Sequence, residues 1–224
     1  MSVLADLRQR STEPELLDQG VPADEALRSL ADLRFVNRWL GGRRSLRRAL
    51  GEILDASDRP RLLDVGCGSA DLPALLARER PGLLAIGLDV KRLHLEAAPA
   101  TVRRVLADVR RLPFRAQSFD VVTASLFLHH FDEAQLPELL RSLFALTRKA
   151  LVVNDLRRAR VPHLFARLVF PWIFQSRVSV QDGLTSIRRG FTPAELRTAF
   201  DAAGLDGVEI RRVFPYRLIA VAVR

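Results

Sequence analysis

From Arg61 onward, short apolar runs alternate with stretches of helical period, and few folds accept that rhythm. The runs Leu62–Val65, Leu83–Leu88, Val102–Leu106, Phe119–Ala124 and Ala150–Val153 read as strands buried on both faces. Helical stretches fall between them, near Asp71–Arg78, Lys91–Ala97 and Glu133–Arg148. Strand–helix–strand repeats close as right-handed βαβ units, so an open parallel sheet is expected. The end of the chain differs. Thr192-Pro193-Ala194-Glu195 is a capping box with proline at the first helical position, and Gly204 closes the helix it opens. Two strand-like runs follow, Val208–Phe214 and Arg217–Val223, separated only by Pro215-Tyr216. So short a link forces an antiparallel hairpin, because a parallel crossover needs a dozen residues or more. The fold class expected is therefore α/β: a seven-stranded, mostly parallel sheet with helices on both faces and an antiparallel last strand.

A length of 224 residues suits one domain with an elaboration. Residues 1–58 read as an N-terminal helical cap. Pro22-Ala23-Asp24-Glu25 starts a helix, Leu27, Leu30, Leu33 and Leu40 form its apolar stripe, and Gly41-Gly42 breaks it before a basic helix from Arg43 to Asp55. Residues 59–224 form the main domain, with a lid insertion at about 156–190. That insertion holds Phe165, Phe170, Trp172 and Phe174 and follows the fifth strand, at the carboxyl edge where open α/β sheets bind ligands. Core packing, a lid over an apolar substrate and peripheral membrane contact are the three readings of it. No run of 18 apolar residues exists and the N-terminus is polar, which predicts no transmembrane segment, no cleaved signal peptide and a cytoplasmic location. Oligomeric state is not legible.

The chemistry begins at Leu62-Leu63-Asp64-Val65-Gly66-Cys67-Gly68-Ser69-Ala70-Asp71, a strand entering a glycine-rich turn and then a helix. A dinucleotide site wants a third glycine where Asp71 stands, and the P-loop wants Gly-Lys-Ser/Thr. Asp64 and Asp71 would repel a pyrophosphate; they suit a ligand carrying an ammonium and a sulfonium. S-adenosylmethionine (SAM) has both and no phosphate. Asp89 ends the second strand, 25 residues after Asp64, where a carboxylate accepts from both ribose hydroxyls, with Val90 beside it. Asp108, after the third strand, is placed for the adenine amino group and the Val109 amide for a ring nitrogen. Gly66, Cys67, Gly68 and Ser125 complete the predicted cofactor set, with Asn37 closing over it from the N-terminal helix. Cys67 acts there through its amide, having no basic partner to activate its sulfur. A lone cysteine also excludes an intramolecular disulfide, and four histidines offer no zinc framework.

The segments Leu62–Asp71, Gly87-Leu88-Asp89-Val90, Ala107-Asp108-Val109 and Phe119–His130 resemble class I SAM-dependent methyltransferases, over roughly residues 60 to 224. The resemblance implies a seven-stranded sheet with a reversed last strand; Ala70 departs from it, where many members have glycine. The segment from Phe119 to Phe131 is similar to the small-molecule branch, which includes quinone C-methyltransferases. More narrowly, Val36–Gly42, Val153–Arg158 and Asp182–Arg189 resemble methyltransferases that accompany type III polyketide synthases. That implies O-methylation of phenolic or resorcinolic, often lipid-like, products in secondary metabolism.

Methyl transfer from a sulfonium is an in-line displacement, for which the protein supplies alignment and a dry site. A phenol, with a pKa near 10, gains from a base. His129 and His130 follow the fourth strand and are the candidates, His130 favoured; Asp155 is placed to orient that histidine or bind substrate. His163 is a second candidate in the lid, and His94 is expected to face solvent. No metal is expected, since no carboxylate cluster stands apart from the SAM acids. The charge of +9, from 35 Lys+Arg against 26 acids, raises an RNA or protein methyltransferase as the alternative. Yet only Lys91 and Lys149 are lysines, arginines are spread along the chain, and Ser125-Leu126-Phe127-Leu128 lacks the Asn/Asp-Pro-Pro-aromatic turn that grips a planar nitrogen. A SAM-binding protein without catalysis is the third reading. Nucleic acid is thus not the expected partner; a small apolar aromatic molecule is.

Overall fold

The computed structural model describes residues 7–55 and 59–224. The strands are β1 (Arg61–Val65), β2 (Leu84–Asp89), β3 (Arg103–Leu106), β4 (Phe119–Ser125), β5 (Thr147–Leu156), β6 (Glu209–Val213) and β7 (Arg217–Val223), in the order β3-β2-β1-β4-β5-β7-β6. β1 to β5 pair in parallel, and β7 runs antiparallel to both β5 and β6. The seven-stranded sheet with a reversed end is thus as the sequence predicts.

Both faces of the central strands are buried, which is why their sequences are almost unbroken apolar runs. Leu63, Val122, Leu151 and Val153 face one way, onto α6 (Leu136–Ala145) and α9 (Pro193–Ala202). Leu62, Val121, Ala150 and Val152 face the other way. There they meet α3 (Gly42–Asp55) and α4 (Asp71–Glu79). On α3, Leu46, Leu50 and Leu54 recur every four residues and are at most 1% exposed, each burial contributing about 2 kcal/mol. The basic helix of the predicted cap is therefore a sheet-packing element. Arg44, Arg47 and Arg48 face outward, Arg47 pairing with Glu79, while Arg43 turns in to pair with Asp71. The predicted helix Glu133–Arg148 is shorter than expected: a 3-10 turn at Glu133–Gln135 precedes α6, and β5 already begins at Thr147. The capping box of Thr192 and Glu195 forms as read.

Over the carboxyl edge of the sheet sit α1 (Leu16–Gln19), α2 (Ala23–Trp39) and a helical hairpin, α7 (Arg160–Ile173) and α8 (Arg177–Arg189). Buried acids tie these pieces together. Asp32 of α2 accepts from the amides of Gln175 and Ser176, and Asp182 of α8 accepts from those of Leu16 and Leu17 at 2.7 and 2.9 Å. Gly183 lets α7 and α8 touch, since a Cβ there would lie 2.7 Å from the Phe170 ring. Among the described residues no helix is long and apolar enough to cross a membrane.

Candidate active site

Between the carboxyl ends of β1, β2 and β4 and the helices above them lies a cavity of about 820 Å³. The glycine loop forms its floor. Gly66 and Gly68 have φ of +61° and +54°, and a Cβ on Gly66 would lie 2.0 Å from the Phe127 ring. Only glycine allows so close an approach. Leu126, at φ +53°, is held left-handed by its amide bonding to the Asn154 carbonyl, and this turns Phe127 back over the loop. Such a conformation costs a leucine about 1–2 kcal/mol, which the surrounding contacts must offset. Ala70 is also left-handed, at φ +53°, at the same kind of cost.

The predicted cofactor residues divide into two groups. Gly66, Cys67, Gly68, Asp71, Asp89, Val90, Asp108, Val109, Ser125 and Asn37 all line the cavity. Asp89 accepts from the amides of Gly68 and Lys91 at 2.9 Å each, so it braces the loop as well as facing the cavity. Asp108 caps the 3-10 turn beginning at Val109 by accepting from the Arg110 amide. Asn154 donates to Ser125 Oγ at 3.0 Å. Asp64 does not line the cavity. It is buried behind the loop, where Thr123 Oγ1 donates to it at 2.6 Å. Burial, with Asp71 and Asp89 nearby, pushes its carboxyl up to about 7 against the Thr123 bond. Burial likewise pushes the Cys67 thiol well up, so it is no nucleophile.

Several cavity residues escape the sequence reading, Arg217 among them. Arg217 on β7 is 1% exposed, donates from Nη2 to Asn37 and from Nε to the Leu40 carbonyl, and leaves Nη1 with no hydrogen-bond partner among the described residues. Asn37 in turn donates to Asp71 at 3.5 Å. Gly42 makes room, since a Cβ there would lie 2.8 Å from Asn37 Oδ1. A half-buried carboxylate that pairs with Arg43, a buried guanidinium with a spare donor and an amide between them fit the ammonium and carboxylate of a free amino acid. That is the methionine half of SAM, and the residues present fit that cofactor.

The two histidines lie on a 3-10 turn, Leu128–His130, at the seam between this polar floor and the aromatic lid. His129 is 2% exposed. Its Nδ1 is 2.7 Å from Asp155 Oδ1 and its Nε2 3.3 Å from Glu15 Oε1. Burial opposes charge on this ring, but the two carboxylates win and raise it to about 10. A ring that keeps both protons is not a base near neutrality, so Asp155 holds the neighbour of the favoured histidine. His130 instead has Nδ1 2.6 Å from Asp18 Oδ2, while its Nε2 has only Glu15 Oε2 at 4.0 Å. Arg189 donates to the His129 carbonyl at 2.7 Å and Arg10 to that of Phe131, which locks the turn. Glu15 and Asp18 carried no sequence signal, standing more than 100 residues from the histidines. His94, expected in solvent, is buried against Asp89 and lines the cavity, and His163 is buried in the lid helix away from the cavity wall. Phe165, Phe170 and Phe174 of the lid complete the apolar half.

The family model described as "Methyltransferase domain" matches residues 62–150. An uncharacterized methyltransferase of Mycobacterium tuberculosis is 34% identical over 77 residues, 33% of this chain and 39% of that protein. A malonyl-acyl-carrier-protein O-methyltransferase of Herminiimonas arsenicoxydans is 37% identical over 97 residues, 42% of this chain and 37% of that protein. The chain spans between 37% and 54% of the length of the curated relatives it matches. Among solved structures, the plantazolicin methyltransferase BamL, in complex with S-adenosylhomocysteine, superimposes with a TM-score of 0.68. It shares 13% identity over 90% of this chain and 97% of that one, which is a likeness of fold. Residues 62–150 thus match a methyltransferase domain, and the chain shares the fold of a methyltransferase solved with S-adenosylhomocysteine.

Proposed function

We propose that this protein transfers the methyl group of SAM to a hydroxyl oxygen of a small, apolar aromatic acceptor. One observation carries the reading: a single cavity joins the carboxylate-lined loop to the lid aromatics, with His130 at the junction. Its volume of about 820 Å³ lies near the top of the range for a single ligand, which suits a cofactor and an acceptor together. SAM supplies an electrophilic methyl group on a cationic sulfur. Asp71 and Arg217 hold the amino-acid end, Asp89 the ribose and Asp108 with Val109 the base. Phe165, Phe170 and Phe174 stack the acceptor ring and exclude water. Asp18 fixes the His130 ring through Nδ1, so Nε2 takes the hydroxyl proton as the oxygen attacks. The likeness of Val36–Gly42, Val153–Arg158 and Asp182–Arg189 to enzymes accompanying type III polyketide synthases favours an alkylated phenol or resorcinol. Arginines Arg43 and Arg47 are spent on internal ion pairs, which weakens the case for RNA.

The test offers SAM with a labelled methyl group alongside alkylresorcinols, alkylquinones and total RNA. Label is expected on a resorcinol oxygen, located by NMR of the product. Label on a ring carbon would replace O- with C-methylation, and label in the RNA fraction would overturn the reading.

A further inference from the structure

Glu15, His129 and His130 converge more closely than a proton relay requires. One donor atom from each lies within 4.8 Å of the others, in the wall of the main cavity. Each imidazole gives its Nδ1 to a carboxylate, His129 to Asp155 at 2.7 Å and His130 to Asp18 at 2.6 Å. Both Nε2 atoms are thereby turned to one acid, lying 3.3 and 4.0 Å from the two oxygens of Glu15. The rings stack with centroids 4.4 Å apart, which keeps the two nitrogens side by side. Ser186 Oγ donates to Glu15 Oε1 at 2.5 Å and fixes that carboxylate in turn.

We propose that Glu15, His129 and His130 form a binding site for a divalent transition-metal ion, zinc or iron(II) by its donor set. Two imidazole nitrogens and one carboxylate oxygen, with the remaining positions open to a cavity, are what such ions take. Metal–nitrogen and metal–oxygen bonds of about 2.0–2.2 Å put neighbouring tetrahedral donors about 3.3 Å apart, and the His129–Glu15 separation already has that value. The Nδ1–carboxylate bonds are the outer shell that ligating histidines ordinarily carry, fixing the tautomer and raising the basicity of Nε2. Without an ion, the His129 Nε2 proton lies between nitrogen and Glu15; the ion replaces it between the same two atoms. Magnesium and calcium are disfavoured, since they seek oxygen donors.

Metal binding is independent of the acceptor's identity, so it is measured without turnover. Zinc chloride is titrated into chelator-treated full-length protein by calorimetry, and cobalt(II) is followed by its visible spectrum. One ion per chain is expected, with a tetrahedral or five-coordinate cobalt band. His130→Ala, at the half-exposed rim, should weaken zinc at least tenfold while SAM still binds, and Glu15→Gln should weaken it further. Saturable binding unchanged by both variants, or no stoichiometric binding in the parent protein, overturns the site. Methyl transfer failing on every acceptor while zinc binds one-to-one would sink the proposed function and leave the metal site standing.

Discussion

Asp155 meets His129 and not His130: its Oδ1 lies 2.7 Å from His129 Nδ1, while Asp18 reaches His130 from a helix more than 100 residues earlier. The two rings stack side by side and each gives its Nδ1 to a different acid, so two carboxylates hold two rings. Asp155 also accepts from the Leu156 amide and is fully buried, which makes it part of the core. Asp155→Asn should therefore cost about 3–5 kcal/mol, because it strips the partner from a buried cation. Chemical denaturation would measure it, and a midpoint within error of the parent protein would refute the assignment.

Asp18 gives the opposite expectation. It is half-exposed and belongs to a single-turn helix. Asp18→Asn should leave the denaturation midpoint nearly unchanged while lowering methyl transfer tenfold or more, since it loosens the ring whose Nε2 faces the acceptor. Parallel losses in stability and rate would show that Asp18 merely holds α1 down.

The Asp64 carboxyl, pushed up to about 7 by burial, should make cofactor binding pH-dependent. Its folded value exceeds the ordinary 3.8, so its favourable contribution to the ligand-free fold is present below 3.8 and is lost as pH rises through about 7. A cationic ligand beside Asp71 and Asp89 wants Asp64 ionised. SAM affinity should thus climb as pH rises from 6 to 8, by up to about tenfold per unit below the pKa. Calorimetry at three pH values would measure the slope, and Asp64→Asn should flatten it. A flat profile in the parent protein would mean that Asp64 is not coupled to the cofactor.

Arg217 separates binding from folding. Burial lowers its guanidinium to about 10, against the pull of Asp155 and Asp71, so it is still a cation, with one nitrogen unpaired among the described residues. Arg217→Gln should weaken SAM tenfold or more while the ligand-free protein melts at the same or a higher temperature, because an incompletely paired buried charge adds little to stability. Unchanged affinity would remove Arg217 from the cofactor site.

Leu50 tests where the main domain begins. Because α3 packs on the sheet through Leu46, Leu50 and Leu54, Leu50→Ala should cost about 2–5 kcal/mol of global stability. A loss below 1 kcal/mol, read by denaturation, would return α3 to a detachable cap.

Much of this protein is local in sequence. The strand–helix alternation, the Thr192–Glu195 capping box and the short link before Arg217 each act over a few residues, and together they imply a parallel sheet ending in an antiparallel hairpin. The grouping of Gly66, Gly68, Asp71, Asp89 and Asp108 along one cavity is legible for the same reason: they follow successive strands, and parallel strands bring their carboxyl ends to one edge. What only the tertiary structure decided is which side chains close the site from elsewhere. Glu15, Asp18 and Arg217 come from the two ends of the chain, where no spacing relates them to His129 or Asp71. Asp64 reads as a ligand acid, yet its side chain points behind the loop, because alternate residues of β1 face alternate sides of the sheet. Periodicity reports which face of its own element a residue occupies; which distant element covers that face depends on packing that no local pattern encodes.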